Sequence, residues 1–95
     1  MRIIEKRVIN ETKYFVVQPD GVCAQIIEIT IEKNIIKNVT FHGGCGGNTQ
    51  GIAALVKGMT IEEVADKLQG IRCGYKSTSC PDQLAQALKA ITNYG

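Results

Sequence analysis

From Gln25 to Glu32 the chain alternates without a break. Ile27, Ile29 and Ile31 fall on one side, Glu28, Thr30 and Glu32 on the other. A period of two sends successive side chains to opposite faces, so this stretch reads as a strand with one face buried. Lys33-Asn34 makes a turn. Ile36 to His42 then returns as a second strand, with Val39 and Phe41 inward and Ile36, Asn38, Thr40 and His42 on the other face. A hairpin of this kind needs further strands or helices on its apolar side before it is stable.

Both are expected. Ile3, Ile4, Val8 and Ile9, then Tyr14-Phe15-Val16-Val17, give residues 1–20 an extended character, broken by a turn at Asn10-Glu11-Thr12 and a second at Pro19-Asp20-Gly21. Residues 1–13 are expected to add a strand or an extension to the domain. After His42 the period changes to that of a helix. Ile52, Leu55 and Val56 share one face of a helix ending at Gly58. Thr60-Ile61-Glu62-Glu63 is a capping box ahead of the stripe Ile61, Val64, Ala65 and Leu68, closed by Gly70. A last helix starts near Pro81 and buries Leu84, Ala87, Leu88 and Ile91. Strands first and helices after predict an α+β fold, in which three to four antiparallel strands are followed by three helices packed on one face.

With 95 residues the chain makes one small domain. A domain this size buries roughly 60–65% of its unfolded surface, so a metal or cross-link would add materially to its core. The net charge of +2 is spread along the chain, and there are five aromatic residues and no Trp. With neither a basic stripe nor a stacking platform, nucleic acid is not an expected partner. No apolar run approaches the roughly 20 residues of a membrane span, and the start, Met1-Arg2-Ile3-Ile4-Glu5-Lys6-Arg7, is too charged for a signal peptide. The expected compartment is the cytoplasm. In that reducing setting the four cysteines point to metal ligation, redox chemistry or plain packing rather than disulfides.

Each cysteine stands at a structural boundary. Cys23 follows the Pro19-Asp20-Gly21 turn, and Cys45 lies in Gly43-Gly44-Cys45-Gly46-Gly47-Asn48 ahead of a helix. Cys73 and Cys80 bracket Gly74-Tyr75-Lys76-Ser77-Thr78-Ser79. Cys45 and Cys80 each precede an expected helix, where unpaired N–H groups favour the thiolate form that binds metal, and Arg72 and Lys76 would add positive charge. Five of the ten glycines fall between Gly43 and Gly51. Such a loop could cradle phosphate, but it lacks the Lys-Ser/Thr ending of a Walker loop and the G-x-G-x-x-G order of a dinucleotide turn. Holding a cysteine against a metal or cluster accounts for it better. No CxxC pair is present, so the spacing is not that of a zinc ribbon. His42, the one histidine, is either an additional ligand or a surface or capping residue. Asp20 and Asp82 read as turn and helix-start residues, and no catalytic carboxylate pair or Ser-His-Asp set is apparent.

Two family resemblances rest on these residues. Thr78-Ser79-Cys80-Pro81-Asp82 spells the signature of the TSCPD domain. Gly21-Val22-Cys23, the glycine loop around Cys45 with Gly51-Ile52, Gly58-Met59, Gly70-Ile71-Arg72-Cys73-Gly74 and Cys80-Pro81-Asp82-Gln83-Leu84-Ala85 resemble its small four-cysteine members. The order of elements is also similar to the IscU- and NifU-type iron–sulfur scaffolds, with Cys23, Cys45 and Cys80 in the places of their three cysteines and Lys57-Gly58 at the end of the first helix. Those scaffolds carry Asp two residues after the first cysteine and His just before the third. Here the positions hold Gln25 and Ser79, and Cys73 is additional.

The resemblances imply a metal site of Cys23, Cys45, Cys73 and Cys80 holding zinc or an iron–sulfur cluster. A cysteine desulfurase, a cluster acceptor or a ribonucleotide reductase would then be the protein partner. TSCPD domains also end the adenosylcobalamin-dependent ribonucleotide reductases, which implies an alternative role as a thiol-redox accessory in nucleotide reduction. A chain of 95 residues cannot itself form the radical barrel, so catalysis by this chain alone is not expected.

Overall fold

The computed structural model describes the chain apart from Cys23, Gly44, Cys45, Cys73, Lys76 and Gly95, and apart from the side chains at 46, 47, 93 and 94. Four strands come first: β1 (Arg2–Ile9), β2 (Thr12–Gln18), β3 (Ala24–Glu32) and β4 (Ile35–Gly43). Three helices follow: α1 (Gly46–Val56), α2 (Ile61–Leu68) and α3 (Cys80–Tyr94). The strands form one antiparallel sheet in sequence order. The α+β expectation, sheet first and helices after, is met.

Local chemistry sets the turns. Between β3 and β4, Lys33 (φ 51°) and Asn34 (φ 68°) both take positive φ, the requirement of the tight hairpin turn whose twist matches the strands it joins. Asn34 then anchors that turn to α2. Its Nδ2 donates to both carboxylate oxygens of Glu62 (2.8 and 3.0 Å), and its carbonyl accepts from Ile61 N–H (3.2 Å). Gly58, at φ 86°, closes α1 and lets the chain double back along β4. There Gly58 N–H donates to Ile36 O (2.8 Å), and Ile36 N–H donates to Met59 O (2.9 Å). The capping box of α2 is formed in both directions by Thr60 and Glu63.

The core lies between the sheet and the helices. Phe15 and Val17 of β2, Ile27, Ile29 and Ile31 of β3, and Ile36 and Val39 of β4 meet Val56, Val64, Leu84, Ala87, Leu88 and Ile91. Two expectations need correction. Ile36 is fully buried rather than on the polar side with Asn38. Thr30 pairs with Asn38 but Ile31 with Ile36, so Lys37 is an extra residue, and this β-bulge turns Ile36 into the core. Leu55 is 77% exposed. The inward side of α1 is carried by Thr49, Ile52, Ala53 and Val56, spaced i, i+3, i+4 and i+7. No helix among the described residues is long and apolar enough to cross a membrane.

Candidate metal and thiol site

Of the four cysteines, Cys23, Cys45 and Cys73 lie outside the described residues, as does Lys76. Cys80 is a half-buried free thiol at the start of α3. Among the described residues no group of three or more His, Cys, Asp and Glu could hold a metal ion. What the fold does place is the chain on either side of each cysteine position.

At one end of the sheet, Ala24 pairs with Gly43, which sets the start of β3 beside the end of β4. A second bulge sits there: Ala24 opposes Gly43 and Ile26 opposes His42, leaving Gln25 without an opposite number. Ala24 therefore turns into the core and Gln25 to solvent. The turn before Cys23 rests on the start of α3. Asp20 N–H donates to Gln83 Oε1 (3.0 Å), and a Cβ placed on Gly21 would stand 3.4 Å from Thr78 Cγ2.

The signature Thr78-Ser79-Cys80-Pro81-Asp82 is itself a clamp. Ser79 caps α3: its Oγ accepts from Asp82 N–H (3.1 Å) and donates to the Ile71 carbonyl (2.6 Å). Asp82, 5% exposed, does not reach back to the cap as a capping box would. It accepts instead from Gly70 N–H (2.7 Å), Thr78 Oγ1 (2.5 Å) and Gln86 Nε2 (2.8 Å). Gln83, also buried, donates to Thr78 Oγ1 (3.0 Å). Burial works against ionisation of Asp82, but the bonds from Thr78, Gly70 and Gln86 outweigh it and hold the carboxyl below the usual carboxylate range. Chain segments 70–71, 78–83 and 20–21 are thus tied into one buried polar network, with every member satisfied.

Beside the network opens a cleft of about 280 Å³. It is lined by Asn48, Thr49 and Ile52 of α1, by Ile71 and Arg72, and by Cys80. Asn48, three residues beyond Cys45, and Arg72, next to Cys73, therefore share one concavity with Cys80. Arg72, expected to add positive charge, is on its wall.

His42 is placed otherwise. Its Nε2 meets Glu28, whose other oxygen accepts from Tyr14 Oη, on the sheet face away from the helices. Of the two readings of His42, its described partner fits a surface residue. The bond to Glu28 pushes the Tyr14 hydroxyl above its ordinary range. The bonds from Tyr14 and His42 hold Glu28 below its own. Sequence reading gave Gln83 and Gln86 no role in the site: nothing in helical periodicity marks Gln83 as buried, and Gln86, on the exposed side of α3, meets Asp82 only in the fold. Asp82 was legible as a helix-start residue, but the bond it accepts from Gly70 N–H spans the loop and exists only in the fold.

Among curated proteins and among solved structures, no match is found. The family model described as the TSCPD domain matches residues 5–92, nearly the whole chain and all four cysteines. The chain belongs to the TSCPD domain family.

Proposed function

We propose that this protein is a metal-holding domain of the cytoplasm in which Cys23, Cys45, Cys73 and Cys80 bind one zinc ion or one iron–sulfur cluster. The observation that carries the reading is the convergence of the chain around all four positions. Ala24 lies beside Gly43, Asp20 is bonded to Gln83, and Asn48, Arg72 and Cys80 share a cleft. Four soft thiolates suit zinc or an iron–sulfur cluster and leave no open position for a metal-bound water, so the role is holding or carrying rather than hydrolysis. The reading includes a likeness of arrangement to the IscU- and NifU-type scaffolds, with a cysteine desulfurase or a cluster acceptor as partner. The exposed Gln25 at the bulge stands where those scaffolds carry Asp, which favours retention over release.

The test is anaerobic purification of the full chain, followed by zinc and iron analysis and an absorbance spectrum. One metal ion or one cluster per chain, lost in the Cys80→Ser variant, is the expected result. Metal-free protein with four titratable thiols would sink the proposal.

A second reading draws on the clamp between Ile71 and Ser79, which holds together the chain on either side of the Cys73–Cys80 loop. In it the two cysteines cycle between dithiol and disulfide as an accessory to ribonucleotide reduction. A redox titration followed by mass spectrometry separates the two: failure of the pair to oxidise reversibly excludes the redox role.

A further inference from the structure

The helical layer is not closed. α2 packs along α3 and α1 packs on β4, but α1 makes no comparable packing with α2. Between them lies a groove of about 260 Å³, walled by Ile52 and Leu55 of α1 and by Val64 and Leu68 of α2, with Met59 from the connection between the two helices. Ile52 also lines the cleft of Cys80, so the two concavities adjoin across its side chain and form one trough.

The walls describe what fits. α1 has 11 residues and not one charged side chain. Asn48, Ile52 and Leu55, spaced i, i+4 and i+7, run along the flank of α1 that borders the trough. Leu55 is 77% exposed, and Ile71, on the wall of the cleft, 41%. A helix that faces only water carries charge on its outer side. One that lacks charge beside exposed aliphatic residues has the composition of an interface core. The rim charges are of one sign. Lys67 lines the groove and Arg72 the cleft, both are exposed, and no acidic residue lines either concavity. Neither cation has an ion pair among the described residues. Glu63, one turn before Lys67, is committed to the cap of α2.

We infer that this trough docks an amphipathic helix of a partner protein, one with an aliphatic stripe flanked by acidic residues. Two helices set apart make a groove into which a third lays its apolar face, with anchors at i, i+3, i+4 and i+7. One aliphatic side chain enters between Leu55 and Leu68, another enters the cleft beside Ile52 and Ile71, and carboxylates meet Lys67 and Arg72. This chain has no such helix to offer a second copy: the apolar sides of α2 and α3 are buried in its own core, and α1 has no acid. The docked helix covers Cys80. The inference gives the partner of the proposed metal site its chemistry, and it rests on that reading only for what passes between the two; docking itself needs no metal.

The probe is a capped helical peptide of about 14 residues, with leucines at i, i+3, i+4 and i+7 and glutamates beside them. Its control carries lysines in place of the glutamates. Each is titrated to about 1 mM into the isotope-labelled full chain and followed by NMR. The glutamate peptide should bind, shifting resonances along α1, α2 and residues 71–72, and the lysine peptide should bind about tenfold more weakly or not at all. Leu55→Ser and Lys67→Glu, both at exposed positions, should each weaken the glutamate peptide about tenfold, and Lys67→Glu should also narrow its lead over the lysine peptide. Circular dichroism checks that each variant keeps its fold. Bound peptide should slow alkylation of Cys80. Absence of binding by about 1 mM overturns the proposal, as do equal binding of the two peptides, shifts confined to another surface, or a Cys80 alkylated as fast as before. Shifts of the same residues on concentrating the free chain would assign the trough to a second copy and overturn it equally. Metal-free protein that binds the peptide would sink the metal reading alone, and metal-loaded protein that does not bind it would sink this one alone.

Discussion

The two ends of this molecule are held together by different forces. Around Ile29, Ile36, Val64 and Leu88 the sheet and helices meet through aliphatic packing, and every one of these side chains is fully buried. At the cysteine end the chain is held by a buried polar network of Ser79, Asp82, Gln83 and Thr78 acting on the backbone of Gly70, Ile71 and Asp20. Apolar burial is proportional to area and indifferent to angle, whereas a buried hydrogen bond fails outright when a partner is removed. The apolar end therefore fixes whether the chain folds. The polar end fixes where loops go that carry no apolar anchor of their own, including the one between Cys73 and Cys80.

Leu88→Ala should have the largest effect. It removes a fully buried side chain and leaves a cavity, for a loss of about 2–5 kcal/mol in denaturant unfolding, while under the metal-holding proposal the metal bound per folded chain stays unchanged. A loss of metal without loss of stability would mean that the two ends are not separable in this way.

Asp82→Asn comes next, at about 1–3 kcal/mol, because Gly70 N–H and Thr78 Oγ1 are left with a weaker acceptor or none. This variant also carries a pH signature. Ionised Asp82 is favoured in the fold, so its contribution is present above the ordinary carboxylate range, near pH 4, and is lost as pH falls through its lower folded value. Unfolding measured between about pH 2 and pH 6 should show a flatter acid limb in Asp82→Asn than in wild type. An unchanged acid limb would remove Asp82 from the account.

Ser79→Ala should cost about 1–2 kcal/mol, through the lost cap and the orphaned Ile71 carbonyl. Its local effect is the sharper one. Thiol alkylation mapped by mass spectrometry should speed up at Cys73 and Cys80 before it does at Cys23. Equal acceleration at all four would show global rather than local opening. Smallest of all is His42→Gln, at about 0.5 kcal/mol or less, since its partner Glu28 sits on the open face in water. The same variant should leave metal content unchanged; a loss would return His42 to the candidate ligands.

Much of the apolar end was legible from pattern alone. The alternation over Gln25–Glu32, the Thr60–Glu63 box and the stripe Leu84, Ala87, Leu88 and Ile91 each appear in the structure where the period puts them. Pattern failed where one residue interrupts the period. The bulge at Lys37 buries Ile36, and the helical face chosen through Leu55 was rotated from the true one through Thr49 and Ala53. Short helix α1 carries no charge, so hydrophobicity alone could not say which side faces in.

The sequence by itself determined the class of fold, the family and the four thiols, because periodicity and a five-residue signature are local properties of a chain. Only the tertiary structure decided what the signature does. Four of its five letters have structural work: Thr78, Ser79 and Asp82 bind the backbone or one another, and Pro81 sits in the first turn of α3. Cys80 lines the cleft together with Ser79 and Pro81 on either side of it, and is the letter that brings a thiol there. The division could not be read earlier, since the partners of Ser79, Asp82 and Gln83 lie 8, 12 and 63 residues away in the chain. Contacts at that separation are chosen by packing of the whole fold rather than by neighbours in sequence.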